Sequence, residues 1–213
     1  EDLYATETNL NGRRKIETCY EALTEDVVRR HLTGEITAET YVRRSNNTVH
    51  FMVLDVDISK KILLQYGRET GEFQQYMKIA AQTVSELRNR FSRWGFQTYV
   101  EYSGCRGYHL WLLFRDWIPV RYVSALQERV AEMVMKEGIL QEDTITLEYF
   151  PNKQHVRPDK PGQCIKLPLG VHTRTFESSY FCDDSFQPVE NPGLYLKNVV
   201  AYSLQTLKKV LGS

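Results

Sequence analysis

The sequence lacks an excess of charge of either sign, a close pair of cysteines and a long apolar run. Lysine plus arginine and aspartate plus glutamate each total 27 in 213 residues, so the formal net charge is zero. This balance argues against a large, uniformly basic nucleic-acid footprint, and any such surface must come from local clustering. No apolar run approaches the roughly 18 residues of a membrane span, and no secretory signal opens the chain. We therefore expect a cytoplasmic protein with no membrane partner.

The four cysteines, Cys19, Cys105, Cys164 and Cys182, are far apart in sequence and form no CxxC pair. Structural zinc sites usually contain closely spaced ligand pairs. Cys164, His172 and Cys182 are at most a partial ligand set, so we expect no zinc and interpret the thiols as free side chains in a reducing compartment. The chain also lacks an initiator methionine, and we interpret it as a piece of a longer protein.

Apolar spacing and capping residues predict both helices and strands. Four segments have the apolar spacing or the end signals of helices. They are the segment from Thr24 to Gly34, residues 72–94, the segment from Pro119 to Gly138 and the segment from about Leu194 to Leu211. Strands are predicted at residues 37–44, 49–57, 96–102, 108–114, 144–150 and 164–170. We expect the first two of these strands to form a hairpin through Asn46 and Asn47, whereas the polar residues before Cys19 show no periodicity.

From Val49 to Phe150 the order of elements is strand, helix, strand, strand, helix, strand. In a split βαβ sheet this order places the strands 4-1-3-2, with both helices on one face. We therefore predict an α+β fold with an RRM-like (split βαβ) sheet, a small N-terminal α/β subdomain and a C-terminal helix. The expected division is residues 1–48, with part of 151–213 packed on them, then 49–190 and 191–213, together forming one core.

Side chains two residues apart in a strand share a face. Asp55 and Asp57 therefore project together from the uncovered face of the first strand, while positions 52, 54, 56 and 58 are all apolar and suit the helices. By the same alternation, His109 on the third strand and Glu148 on the fourth strand face the same side. Because the first strand lies between the third and the fourth in the predicted order, we expect three carboxylates and a histidine to converge.

Converging carboxylates repel one another unless a cation neutralises them, and hard oxygen ligands select Mg²⁺ or Mn²⁺. Two such ions are the usual arrangement for phosphoryl transfer. The adjacent turn Ser103-Gly104-Cys105-Arg106-Gly107 adds backbone amides, a hydroxyl and a guanidinium that suit a triphosphate. This combination favours a metal-dependent nucleotidyltransferase.

None of these features is specific by itself, because acidic strand ends and glycine-containing hairpin turns are common. Three other functions stay open on the residues alone. A nucleotidyl cyclase-like signalling enzyme also uses a split βαβ sheet with paired acids, but its turn differs from SGCRGYH. A metal-independent, RRM-like nucleic-acid-binding module would expose aromatic residues such as Phe51 and Trp111. A nuclease would use the same carboxylates without a triphosphate site.

Three ordered segments resemble the motifs of the archaeo-eukaryotic primase superfamily. Leu54-Asp55-Val56-Asp57 is similar to its hDhD motif, the segment 103–109 (SGCRGYH) to its SxxxGxH-like motif, and Leu147-Glu148 to its hD/hE motif. The similarity extends over about residues 30–190. The downstream segments resemble the primase-polymerases of bacterial mobile-element and defence systems, including CRISPR-associated ones. The third acid is Glu where Asp is more usual.

The resemblance implies a template-dependent DNA primase, or a DNA or RNA polymerase, that uses two Mg²⁺ or Mn²⁺ ions to add NTPs or dNTPs to a 3′-hydroxyl or to start a primer. It implies that Asp55, Asp57 and Glu148 hold the metals. Contacts with the incoming nucleotide are implied for Ser103, Gly104, Arg106, Gly107, His109, Lys166 and His172. The implied partners are a single-stranded DNA or RNA template, the nucleotides, and fused or associated domains of a larger protein such as a CRISPR adaptation machinery.

Several basic residues are candidates for template contacts. They are Arg13, Arg14, Lys15, Arg43, Arg44, Lys153, Arg157 and Lys160. Charge clusters of this size are also common on solvated faces. Tyr41, on the strand before the first acidic motif, is a candidate to stack on a base or contact the sugar, although a core position suits it better.

Overall fold

A computed structural model describes residues 3–141, 143–152 and 162–212 of the chain. In chain order the elements are β1 (Tyr4–Leu10), β2 (Arg13–Cys19), α1 (Glu25–Leu32), β3 (Thr37–Tyr41), β4 (Thr48–Ile58), α2 (Lys60–Tyr66), α3 (Gly71–Arg93), β5 (Tyr99–Tyr102), β6 (Gly107–Pro119), α4 (Val120–Glu137), β7 (Ile145–Phe150), β8 (Cys164–Lys166), β9 (Tyr180–Phe181), α5 (Pro192–Lys197) and α6 (Leu204–Leu211). The strands form two antiparallel sheets, ordered β2-β1-β3-β8 and β7-β4-β6-β5-β9. The predicted α+β class is confirmed.

The five-stranded sheet contains the predicted strand order 4-1-3-2 as β7-β4-β6-β5, and β9 extends it at the β5 edge. The alternate positions of β4 from Met52 to Ile58 are fully buried against α3 and α4. Thr70 caps α3 by accepting a hydrogen bond from the N–H of Phe73 (3.2 Å), and α4 ends at Gly138 with φ of 62°. The apolar face of this sheet therefore forms the main core, and its acid-bearing face is left for a site.

The four-stranded sheet begins with a hairpin that sequence periodicity did not predict. β1 and β2 pair along their whole length, with Tyr4 opposite Cys19. Asn11 and Gly12 form the turn with positive φ of 52° and 78°, a conformation for which Asn-Gly is the strongest short sequence signal. Periodicity missed these strands because β2 is mostly exposed and has no apolar face.

The predicted hairpin between residues 37–44 and 49–57 is wrong. β3 pairs with β1 and β8 in the four-stranded sheet, whereas β4 pairs with β6 and β7 in the other. The chain does turn tightly between them, with the N–H of Arg44 donating to the carbonyl of Thr48 (3.0 Å) and Asn47 at φ of 58°. The local sequence specifies this turn, but distant segments supply the partners of both strands. The turn therefore carries the chain from one sheet to the other.

The single helix predicted from Leu194 to Leu211 is wrong, because two short helices, α5 and α6, replace it. Tyr202, between them, is extended and bonds to β6: its N–H donates to the carbonyl of Leu113 (2.9 Å), and its carbonyl accepts from the N–H of Arg115 (3.1 Å). This pairing with a distant strand interrupts the helix. The elements α2 and β9 were also not predicted, and β8 is shorter than the strand expected there.

Both sheets contribute side chains to one cleft, with β1, β2 and β8 on one side and β4, β6 and β7 on the other. All four cysteines are free thiols. Over the described ranges, no helix combines the length and the apolar character that crossing a membrane requires. The division of the chain at residues 48 and 190 stays a prediction.

Candidate active site

Two acidic residues on β4 lie next to a third on β7. The antiparallel register places Asp55 between His109 on β6 and Glu148 on β7, and residues directly opposite one another project from the same face. Asp57 lies two positions further along β4 and shares that face. The structure therefore brings the three carboxylates together, and Glu148 is the exposed member of the set.

The environment of the two aspartates disfavours their negative charge. Burial, followed by the charge of Asp55, raises the pKa of Asp57 to about 7, although Arg106 opposes the shift. Burial is also the largest cause that raises the pKa of Asp55; His109 opposes it, and the charge of Glu148 adds to it. Oδ1 of Asp55 is buried without a hydrogen-bond partner. A cation placed here would relieve both the repulsion and the missing bond.

Arg106 is the cation that Asp57 contacts in the structure. Its Nη2 lies 2.5 Å from Oδ2 of Asp57, and its Nη1 donates to the carbonyl of Ile58. Both side chains are 15% exposed, so this ion pair lies largely out of water. The arginine expected to bind phosphate thus neutralises one of the expected metal ligands.

A buried carboxylate that the sequence analysis did not identify orients His109. Glu101 lies opposite His109 on β5 and is fully buried. Its Oε2 accepts hydrogen bonds from Nδ1 of His109 and Nε1 of Trp111, both at 2.9 Å. Burial acts to lower the pKa of His109, but the Glu101 carboxylate outweighs it and the pKa is raised. The other ring nitrogen, Nε2, lies 3.9 Å from Oδ1 of Asp55 and so faces the acids.

In the turn 103–107, carbonyl oxygens accept hydrogen bonds, whereas three N–H groups are available to a ligand. The carbonyls of Ser103, Gly104 and Cys105 all accept hydrogen bonds from outside the turn. The donors, in that order, are Nζ of Lys166 at 2.9 Å, the hydroxyl of Thr175 at 2.6 Å and Nε of Arg68 at 3.1 Å. Within the described ranges, the N–H groups of Gly104, Cys105 and Arg106 have no acceptor. Consecutive free amides of this kind form an anion-binding concavity.

Gly107 lets the turn meet the first acidic strand at close range. A Cβ atom on Gly107 would overlap the carbonyl oxygen of Val56 and lie 2.5 Å from Oδ1 and 2.7 Å from Cα of Asp57. Gly104, with φ of 86°, makes a similar approach on the other side, where a Cβ would lie 3.1 Å from Cβ of His172. The two glycines therefore fix how closely the turn lies against its neighbours.

The four-stranded sheet supplies the opposite wall. Lys166 on β8 is buried, and burial lowers its pKa while the charge of Glu101 opposes the shift. Burial, followed by the charge of Lys166, lowers the pKa of His172 to about 4. Nδ1 of His172 accepts hydrogen bonds from the N–H groups of Arg174 and Thr175, both at 3.3 Å. The neutral histidine thus organises the loop that follows β8.

A cleft of about 260 Å³ gathers these groups. Eight of the ten expected site residues line it: Asp55, Asp57, Ser103, Arg106, His109, Glu148, Lys166 and His172. The other two, Gly104 and Gly107, lie in the turn that forms its wall. Further lining residues, not singled out from the sequence, are Glu7, Asn9, Lys60, Thr173 and Arg174. Positively charged side chains and carboxylates therefore line the same space between the sheets.

The basic candidates for template contacts take different positions. Arg14 lines the cleft, where Nε lies 2.6 Å from Oε2 of Glu7 and Nη2 pairs with Glu39. Arg13 and Lys15 are exposed on β2. Three more candidates lie outside the described residues: Lys153, Arg157 and Lys160. Arg44 lies over the ring of the surface residue Trp117, and neither Arg43 nor Arg44 is among the residues that line the cleft.

Sequence signals exist for some of the residues that were missed. Glu101 is a lone acid inside an apolar strand, which indicates a buried carboxylate with a specific partner. Arg14 follows the Asn-Gly turn, so recognising that hairpin would have placed it on a strand. Tyr41 is half-buried, and its hydroxyl bonds to that of Thr18 (2.7 Å) outside the cleft. Lys60 has no signal, because only the turn of the chain after Asp57 brings it to the site.

The donor set fits a divalent metal ion, with one adjustment. Three carboxylates on adjacent strands, together with the unpartnered Oδ1 of Asp55, are the hard oxygen donors that Mg²⁺ and Mn²⁺ prefer. In the part of the chain that the structure describes, no three carboxylate, histidine or cysteine side chains are already arranged around a metal position. Asp57 is paired with Arg106 through Oδ2 instead, so a metal ion would compete with this guanidinium for the Asp57 carboxylate.

Comparisons with known proteins identify a family and two similar solved structures. The model of the Archaeo-Eukaryotic Primase domain of TOTE conflict systems matches residues 4–210. Two solved structures are similar at low identity. The primase-polymerase domain of cyanophage S-2L has 14% identity and a TM-score of 0.44, with 92% of this chain and 88% of that chain covered. The polymerase domain of Mycobacterium tuberculosis ligase D, in complex with DNA, has 12% identity and a TM-score of 0.47, with 98% and 69% covered.

No curated protein shows significant sequence similarity to the chain. The family model alone covers nearly all of the described elements, from the first residue of β1 to α6. The chain therefore belongs to the archaeo-eukaryotic primase domain family of TOTE conflict systems and, as a member of a primase family, is a nucleotidyltransferase.

Proposed function

We propose that the chain is a template-dependent primase or polymerase that joins NTPs or dNTPs on a single-stranded nucleic acid, with its chemistry at the cleft between the two sheets. The observation that carries the proposal is the position of Asp55, Asp57 and Glu148 on adjacent strands, directly beside a turn with three available amides. Acids and an anion-binding turn in one cleft are the two parts that nucleotidyl transfer needs.

Asp55, Asp57 and Glu148 are the residues that would hold divalent metal ions. Two bound Mg²⁺ or Mn²⁺ ions supply activation of a 3′-hydroxyl and stabilisation of the charge that develops on the phosphates. The raised pKa values of Asp55 and Asp57 support this role, because burial and repulsion are tolerated where a cation is to be bound.

The turn 103–107 would bind the triphosphate of the incoming nucleotide. Its free amides are the donors, and the bonds to Lys166, Thr175 and Arg68 keep its carbonyl oxygens away from the phosphates. Arg106 would exchange the Asp57 carboxylate for a phosphate oxygen when metal and nucleotide bind, because the metal would then neutralise Asp57 and the phosphate would give the guanidinium a new anionic partner. The ion pair thus compensates the charge of Asp57 when no metal ion is bound.

His109 would orient the substrate through Nε2. Glu101 holds Nδ1 on the far side of the ring, so the imidazole cannot rotate without breaking a buried hydrogen bond. Lys166 adds a positive charge from the opposite wall, and its low exposure strengthens its interaction with an anion in the cleft.

A surface at the other end of β4 would bind the template strand. We define the Trp117 patch as Arg44, His50 and Trp117. The Arg44 guanidinium lies 3.5 Å above the Trp117 ring, and the His50 ring lies 3.8 Å from it, centroid to centroid. Trp117 is 42% exposed, and the exposed Arg115 and Arg121 are close in sequence. Aromatic and arginine planes beside basic residues suit the bases and backbone of a single strand.

The Trp117 patch lies at one end of the paired strands β4 and β6, and β4 also carries Asp55 and Asp57. His50 falls at the irregularity of β4 between Val49 and Phe51, five residues before Asp55, or about 16 Å along the strand. A strand bound at the patch would therefore reach the cleft within a few nucleotides. Arg43, nearby, donates to the carbonyl of Asn152 (3.0 Å) and so supports the surface rather than projecting from it.

The deciding experiment compares the wild type with a double variant, Asp55→Ala plus Asp57→Ala. Both proteins are incubated with single-stranded DNA or RNA, Mg²⁺ or Mn²⁺ and labelled NTPs or dNTPs, with and without a primer. We expect extended or newly primed products from the wild type and a loss of about 100-fold or more in the variant, with the fold retained. Chelation of the metal should have the same effect.

The control variant is Asp184→Ala plus Glu190→Ala, which removes two exposed acids and the same net charge. It should retain synthesis. A wild type that makes no product under any condition but binds the strand without metal would overturn the enzyme proposal in favour of a binding module. Shortened strands in place of extended ones would instead indicate a nuclease.

A further inference from the structure

Arg68 contacts the turn 103–107 from outside the catalytic cleft. Its Nε donates to the carbonyl of Cys105 (3.1 Å), while Nη2 donates to the hydroxyl of Tyr102 (3.1 Å) and to Oε2 of Glu177 (2.8 Å). The Tyr102 hydroxyl also donates to Oε2 of Glu177 (2.7 Å). These three side chains form a closed hydrogen-bonded ring against the outer side of the turn, and Arg68 is 20% exposed.

The backbone of Arg68 connects two helices. It lies between α2 and α3, after Gly67, which ends α2 with φ of 72° and donates its N–H to the carbonyl of Leu63 (3.0 Å). Thr70 caps the start of α3 through the N–H of Phe73 (3.2 Å). Since Gly67 and Thr70, on either side of Arg68 and Glu69, are the caps of two helices, the backbone that carries the guanidinium has a defined position relative to the turn.

The location of Arg68 separates it from the reacting groups. It lines a groove of about 1240 Å³ with Tyr102 and Glu177, on the outer side of the turn, and is not among the residues that line the 260 Å³ cleft. None of Asp55, Asp57 and Glu148 lines the larger groove. Arg68 therefore acts on the reaction only through the turn.

We propose that Arg68 is a positioning residue for nucleotide binding: its hydrogen bond to the carbonyl of Cys105 keeps the amides of the turn directed at the triphosphate. The proposal rests on the proposed function, because it requires the turn to bind a triphosphate. Gly104, at φ of 86°, gives the turn freedom to rotate. The Tyr102 hydroxyl lies 3.4 Å from the Cys105 carbonyl but has one proton, which the closer Oε2 of Glu177 accepts at 2.7 Å, so it does not replace Arg68.

A rotated peptide between Cys105 and Arg106 would present an oxygen in place of an N–H. The triphosphate would then meet an acceptor where it needs a donor, and nucleotide binding would weaken while the acids and the template surface stay unchanged. The cost of losing a hydrogen bond to a charged group corresponds to a change in affinity of roughly tenfold to a hundredfold.

The test uses Arg68→Met, which keeps the length of the side chain and removes its charge and donors. The matched control is Arg88→Met, which breaks an ion pair of similar length on α3 (Arg88 to Asp184, 2.7 Å) away from the turn. Primed single-nucleotide incorporation gives kcat and the KM for the nucleotide. Fluorescence anisotropy gives the Kd for a labelled dT oligonucleotide, and thermal unfolding gives Tm.

We expect Arg68→Met to raise the KM for the nucleotide about tenfold or more, with kcat, the oligonucleotide Kd and Tm close to those of Arg88→Met. Arg68→Lys, which keeps a charge and a donor, should recover part of the loss. An unchanged KM in an active, folded Arg68→Met protein overturns the positioning role. So does a rise in KM that accompanies an equal rise in the oligonucleotide Kd, because that pattern indicates general loss of structure.

A second variant keeps the proposal testable if Arg68→Met does not fold. Glu177→Gln leaves a neutral acceptor for Tyr102 and weakens the hold on the guanidinium, so it should raise the same KM by a smaller factor; an unchanged value overturns the proposal. A wild type that incorporates no nucleotide contradicts the proposed function itself. If the wild type incorporates nucleotide and the variants have the same KM as the wild type, only the role of Arg68 is contradicted.

Discussion

The residue with the least freedom in the site is Gly107. It lies opposite Asp57 on the paired strand, so any side chain at position 107 would meet the backbone that carries the second aspartate. Seven glycines of the described residues have a positive φ, but Gly107 does not and is required for space. The distance between the acids and the turn 103–107 therefore depends on the absence of one methyl group.

Replacing Gly107 by alanine should push β6 away from β4 at the acids. We expect Gly107→Ala to lower kcat/KM for nucleotide incorporation by about 100-fold, because a displacement near 1 Å at the reacting groups has an effect of this size, and to lower the free energy of unfolding by about 1–3 kcal/mol through overpacking. Steady-state kinetics and urea denaturation measure the two effects.

Gly71→Ala is the matched control, because a Cβ atom there meets nothing within 4 Å and the residue has no positive φ. It should leave activity unchanged and keep or slightly raise stability, since alanine favours a helix. Wild-type activity in a folded Gly107→Ala protein would show that the turn and the acids do not need their present separation.

Alternation along single strands and the order of elements were enough to predict the central part of the fold. The two faces of β4, the pairing of β4 with β6 and β7, and the helices α3 and α4 all follow from local patterns. The partners of β3 and the break at Tyr202 do not, because both are decided by strand residues at least 30 positions away in sequence. Local sequence specifies where a strand or turn lies, but not always which strand pairs with it.

At the scale of the paired strands β4 and β6, Asp55 and Asp57 lie toward one end and the Trp117 patch lies at the other. Arg44→Ala removes the guanidinium that covers the Trp117 ring. We expect it to weaken binding of a labelled single-stranded dT oligonucleotide about tenfold, because stacking and a phosphate contact are lost together. The KM for the nucleotide should stay unchanged, since the patch is about 16 Å from Asp55 along β4. Anisotropy titrations at two salt concentrations measure the effect and its salt dependence.

Arg129→Ala provides a matched control for this prediction. Arg129 also lies over a tryptophan, 4.8 Å from the centre of the Trp94 ring, and its loss changes the net charge by the same amount. If Arg129→Ala weakens oligonucleotide binding as much as Arg44→Ala does, the effect belongs to total charge and not to the Trp117 patch.

At the scale of the whole molecule, the cleft exists only because the two sheets meet. Asp55, His109 and Glu148 come from one sheet and Lys166 and Arg14 from the other. The first set was accessible to sequence reasoning, because register within one sheet follows from alternation. The positions of the second set depend on how the sheets pack, which no local pattern records. For Lys166 only the family resemblance indicated a place near the phosphates.

The cleft brings several carboxylates together in a largely buried place. We therefore expect the acids that serve the reaction to lower the stability of the fold. Burial raises the pKa of Asp55, and its Oδ1 has no hydrogen-bond partner. In the absence of metal, Asp55→Asn should therefore raise the free energy of unfolding by about 1–2 kcal/mol while it abolishes synthesis, because a neutral amide removes the repulsion with Glu148 and cannot replace a charged metal ligand.

Added Mn²⁺ should reverse the order of stability. A ligand at a free concentration of about 100 times its Kd stabilises a protein by about 2.7 kcal/mol. The unfolding temperature of the wild type should therefore rise with added Mn²⁺, while that of Asp55→Asn should change little. Asp184→Asn, at an exposed acid outside the cleft, controls for nonspecific binding. An Asp55→Asn protein that is less stable than the wild type without metal, or that shows the full Mn²⁺ shift, would mean that Asp55 is held by protein groups and not reserved for a cation. The opposite result connects the unfavourable charge of the cleft directly to the metal it would bind.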